Sequence, residues 1–133
     1  MSAPTVERRE AAQLGELYNR YKGLALATGA ALVLDAPSGE LTRHAAALLG
    51  DCRAAARAPQ VELRVQLDAC VLAAEDLHDL LVRAGVDAGS VCDADTDRVR
   101  ASHRRLRQEV WKVIPCEYVP CSVTHPHGHP HER

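Results

Sequence analysis

Apolar residues along this chain recur at alternating steps of three and four, the spacing that gathers them on one face of an α-helix. The most regular stripe is Leu63, Leu67, Cys70, Ala74, Leu77, Leu81 and Ala84. It predicts a helix over about 60–84, with the seam of nearly parallel or antiparallel packing. Gly85 stands where a left-handed residue commonly ends a helix. Upstream, Leu41, Ala45, Leu48, Cys52 and Ala55 predict a helix that Ser38 caps and Pro59 closes. Downstream, Val99, His103, Leu106, Val110 and Val113 predict one that Asp93 or Asp95 caps and Pro115 stops.

The first helix, expected over about 5–34, is the least uniform. Leu14, Leu17, Tyr18, Tyr21, Leu24, Ala25, Ala31 and Leu32 form its stripe. Glu7, Arg8, Arg9, Glu10 and Arg20 give its first half a charged face, whereas residues 23–34 carry no charge. That second half is expected to be buried on more than one side. Gly15, Gly23 and Gly29 weaken a helix by roughly 1 kcal/mol each, yet they let a second helix approach closely. An oligomer contact is expected there.

Segments of this kind, joined by short connections, predict an all-α protein folded as an antiparallel up-down four-helix bundle over residues 1–115. Pro115, Pro120, Pro126 and Pro130 forbid a further helix, so residues 116–133 are expected to form an extended Cys/His-rich tail.

Composition agrees with helices. Aromatic residues are 3% of the chain and Phe is absent, so strand formers are scarce while Ala and Leu dominate. A net charge of −2 lacks the basic surplus of a nucleic-acid binder, which disfavours that partner. The longest uncharged stretch, residues 23–34, is too short to cross a bilayer, and the N-terminus lacks the basic-then-apolar pattern of a secretory leader. A cytoplasmic protein without a membrane partner is expected. Five cysteines, an odd number, argue against a disulfide framework and leave free thiols, metal ligation or redox chemistry.

The densest candidate chemistry lies in the tail, where Cys116 and Cys121 precede His125, His127, His129 and His131. Thiolate and imidazole are ligands of Zn²⁺ and Ni²⁺. The spacing is not that of a standard structural zinc site, and alternating histidines favour loose binding in several registers. The tail resembles in style the His-rich ends of nickel-handling accessory proteins, and no motif in residues 1–115 extends the resemblance.

Elsewhere the candidates are weaker. Cys52 and Cys70 lie on apolar seams, and a hairpin about Pro59 sets them four residues out of step, roughly 6 Å apart along the axis. They read as small buried hydrophobes. His103 reads as a core histidine level with Leu77 and His78. Glu75-Asp-Leu-His78 is only half of a ferritin-type di-iron pattern, because Arg100 stands where the second glutamate would. Arg98, Arg100, Arg104, Arg105 and Arg107 make a basic face expected to pair with Glu75, Asp76 and Asp79.

No Gly-rich phosphate loop, Gly-x-Ser-x-Gly elbow or paired catalytic carboxylates are present, which disfavours an enzyme. The first reading is a metal-binding accessory protein with a helical scaffold and a ligand tail for Zn²⁺ or Ni²⁺. The second is a non-enzymatic interaction subunit. It docks onto a partner protein or its own copy through the first helix, and its metal binding is incidental.

Overall fold

The computed structural model describes residues 8–34, 39–57, 63–86 and 91–113. These residues are all-helical and contain no strand: α1 (Arg8–Val33), α2 (Gly39–Ala56), α3 (Arg64–Val86) and α4 (Asp93–Trp111). No helix among them is long and apolar enough to cross a membrane. The Ser38 cap, the Pro59 closure, the Pro115 stop and the tail lie outside the described residues.

Every position of the α3 seam, Leu63 through Ala84, is buried. The helix packs most extensively on α2 and α4 and also meets α1. Ala45 and Ala55 on α2 face a core that includes Ala69, Ala73 and Ala74 on α3, small side chains that bring the two helices close. The scarce aromatics share this core. Tyr18 and Tyr21 of α1 are almost fully buried beside Leu14, Leu48, Leu77, Leu81, Leu106 and Val110.

Helix registers are visible in specific contacts. Tyr18 meets Trp111 and Tyr21 meets His103, so the α1–α4 contacts step in opposite directions. Asp76 lies by Ser102 and Arg83 by Asp95, which gives the α3–α4 contacts the same opposed order.

Three expectations are corrected. Gly85 does not end α3, which continues through it to Val86. The N-cap of α4 is Cys92 rather than Asp93 or Asp95, with extended backbone at φ −110° and ψ 173°. Asp95 acts instead from the third helical position, its Oδ2 accepting the Cys92 amide at 3.0 Å. The Asp95 carboxylate is also bridged by Arg83 at 2.6 Å, so one buried acid ties the end of α3 to the start of α4.

The third correction concerns the uncharged half of α1. Leu26, Val33 and Leu34 are 77%, 85% and 74% exposed. A helix in a four-helix core has one stripe to bury, and Leu24, Ala25 and Thr28 already supply it there. The opposite face has no neighbour within the described residues.

Candidate functional site

The six tail ligands, Cys116, Cys121, His125, His127, His129 and His131, lie outside the described residues. Among the described residues no group of three or more His, Cys, Asp or Glu side chains could hold a metal ion. Glu75 of the half di-iron pattern is held by Arg53 of α2 at 2.8 Å.

The most polar part of the core lies where α1, α3 and α4 converge. The Tyr21 ring stands edge-on to His103, centroids 5.0 Å apart, and Tyr18 stands edge-on to Trp111 at 6.3 Å. Lys22 Nζ lies 5.2 Å from the centre of the Tyr18 ring. Burial pushes the Tyr18 phenol up to about 12, against the pull of Arg107. Burial raises Tyr21 as well, reinforced by the Asp76 carboxylate. Burial lowers His103, with Arg107 and Lys22 acting in the same direction, which favours the neutral imidazole.

Asp76 is raised by burial and restrained by Ser102 and Arg98. The Ser102 hydroxyl lies within reach of that carboxylate and of the Val99 carbonyl, 3.2 Å away. The Tyr21 hydroxyl has no hydrogen-bond partner among the described residues. Phenols pushed away from neutrality are poor proton donors near pH 7, so this cluster reads as a polar core and not as an acid–base pair. Sequence reasoning placed His103 beside Leu77 and His78. The structure gives it Tyr21, from the helix most distant in sequence.

Cys52 of α2 and Cys70 of α3 are both buried in the same core and unlinked, as their seam positions led one to expect. The neighbouring Cys70 thiol holds Cys52 below the usual thiol range, with Arg20 assisting. The same neighbour and burial raise Cys70.

The basic face of α4 meets expectation only in part: Arg98 acts on Asp76 of α3. Arg100 pairs with Asp97 at 3.2 Å and Arg98 approaches Asp95 at 3.7 Å, both within α4. Glu75, assigned from sequence to these arginines, is bridged by Arg53. The Arg100–Asp97 pair is exposed at both ends, and such a pair contributes about 0.2–1 kcal/mol at most.

On the outer face of α1, Leu26, Ala27, Ala30, Val33 and Leu34 are exposed together. A side chain added at Gly23 or Gly29 would meet nothing within 4 Å. An open groove of about 270 Å³ runs alongside, lined by Asn19, Arg20, Gly23, Leu24 and His44. No protein-family model matches this chain, and no curated protein or solved structure shows significant similarity to it.

Proposed function

We propose that this chain is a non-enzymatic helical scaffold that self-associates through the outer face of α1. The observation that carries the reading is the joint exposure of Leu26, Val33 and Leu34 on a segment without charge. Large apolar side chains exposed on one helical segment, with only small residues exposed between them, mark an interaction face. The occupant is a second copy, because an uncharged patch set against itself across a two-fold axis meets no like charge. Gly23 and Gly29 each weaken α1 by roughly 1 kcal/mol without relieving any contact inside the chain, which fits a close helix approach from outside. The scaffold is an antiparallel up-down bundle over residues 1–115, a topology supported by the opposed α1–α4 and α3–α4 contact orders. Sedimentation equilibrium tests the reading. Ala27→Glu or Ala30→Glu should shift a concentration-dependent dimer to monomer with unchanged helical circular dichroism. A wild type that is monomeric at every concentration overturns it.

A second reading, a metal-binding accessory protein, is favoured by the two thiol and four imidazole ligands between Cys116 and His131. Cys116 and Cys121 would act as thiolates, and His125, His127, His129 and His131 as neutral imidazoles. Zn²⁺ or Ni²⁺ affinity should therefore fall as pH drops through about 6.5, the ordinary histidine pKa. Calorimetry on the full chain and on a chain ending at Pro115 decides it. Equal binding by both removes the tail from the argument.

A further inference from the structure

We propose that the groove between α1 and α4 is a binding site for a small diphosphate-bearing anion, held by Lys22 of α1 and by Arg104 and Arg107 of α4. Two ring contacts fix the walls of the groove. His103 stands against Tyr21 at 5.0 Å and Trp111 against Tyr18 at 6.3 Å. Arg107 comes four residues after His103 and four before Trp111, so it shares the face of α4 that meets α1. Lys22 stands one turn after Tyr18, its Nζ 5.2 Å from the centre of that ring. Arg104 is exposed three residues before Arg107, at the rim of the same face. The influence of Arg107 and Lys22 on His103, and of Arg107 on Tyr18, agrees with this convergence.

Neither helix supplies an acid to these cations. The chain has no Asp or Glu from Leu17 through Leu34, and α4 has none from Arg98 through Gln108. Glu16 lies two residues before Tyr18, on the far side of α1. Asp97 is held by Arg100 and Glu109 by Lys112, each at 3.2 Å. Asp76 of α3, which acts on Tyr21, is engaged by Ser102 and Arg98. The Nε of Arg107 is shut off from solvent and has no hydrogen-bond acceptor among the described residues. A buried donor of a charged group left without an acceptor is unfavourable, and an anion that accepts from this guanidinium relieves it.

The donors select the ligand. The planar fork of an arginine gives two parallel bonds to a phosphate, and a lysine adds a point charge with three rotatable donors. A neutral imidazole at His103 adds one N–H without adding charge. One carboxylate leaves most of these donors unanswered. Linked phosphates bring several negative charges and enough acceptors for both helices. Arg107 is half-buried between the two ring contacts, so a small anion reaches it and a flat lipid surface does not.

Calorimetry of the full chain with inorganic pyrophosphate at physiological ionic strength tests the site, since attraction between exposed charges is screened there beyond about 8 Å. Arg107→Gln should raise the Kd about tenfold or more, the loss expected for charge-assisted hydrogen bonds. Arg104 and Arg105 make a matched comparison, because both are exposed and adjacent in sequence yet about 100° apart around the helix. Arg104→Gln should weaken binding several-fold, and Arg105→Gln by less than about twofold. Both changes leave the core untouched, so the comparison holds even if Arg107→Gln fails to fold. Equal losses from Arg104→Gln and Arg105→Gln, no binding by the wild type, or binding only to vesicles of phosphatidylcholine and phosphatidic acid overturns the proposal.

Discussion

Between Ala11 and Tyr21, α1 turns Ala11, Leu14, Leu17, Tyr18 and Tyr21 into the core and keeps charge on its outer face. Between Gly23 and Leu34 the same helix has no charge, yet Leu26, Val33 and Leu34 stand in solvent. The more uniformly apolar half is the less buried one. Burial in a bundle is set by how many neighbours a helix has, and each of these halves has neighbours for a single stripe. Hydrophobic residues beyond that stripe need a partner from outside the chain or remain wet.

The comparison breaks most visibly at Tyr18. Tyr18→Ala should remove roughly 3–5 kcal/mol of stability in urea titration, the range for a buried aromatic truncated to alanine. Leu26→Ala should leave monomer stability within about 0.5 kcal/mol, as at an exposed site. If the two losses are similar, the second half of α1 is covered within the chain.

Alkaline pH reaches the buried half through Tyr18. The folded state holds the Tyr18 proton more tightly than the unfolded state, so this contribution is complete below pH 10.0. It is lost as pH rises through about 12. Thermal melts should fall over that window, and Tyr18→Phe should flatten the fall.

Smaller effects sharpen the contrast. Tyr21→Phe removes a buried hydroxyl without a described partner, and it should raise stability by about 1 kcal/mol in chemical denaturation. A loss instead would show that the hydroxyl is bonded. Gly29→Ala should strengthen the monomer by up to about 1 kcal/mol, because the new Cβ meets nothing. The same change should weaken self-association in sedimentation if two backbones meet at that residue.

The α3 seam was fully legible because its alternation of threes and fours is a local property of the chain. The buried half of α1 was legible for the same reason. The exposed half was misread because lack of charge signals burial only where a neighbour exists to provide it. The burial of Cys52 and Cys70 was legible from their seam positions. The start of α4 held a readable signal in unusual letters. Cys92-Asp-Ala-Asp95 repeats the spacing of a capping box with Cys for Ser and Asp for Glu. The Tyr21–His103 contact joins the first helix to the last, a distance in sequence that no periodicity bridges.

Trp111 is the chain's only tryptophan, and it sits against Tyr18 at the closure of α1 on α4. Excited at the red edge, where the three tyrosines do not absorb, the molecule thus carries one fluorophore, placed where the two helices furthest apart in sequence meet. Its emission follows the docking of α4 on α1, while far-ultraviolet ellipticity follows helix content across the whole chain. Recorded side by side during unfolding, the two signals coincide if the helices leave together and separate if α4 detaches first.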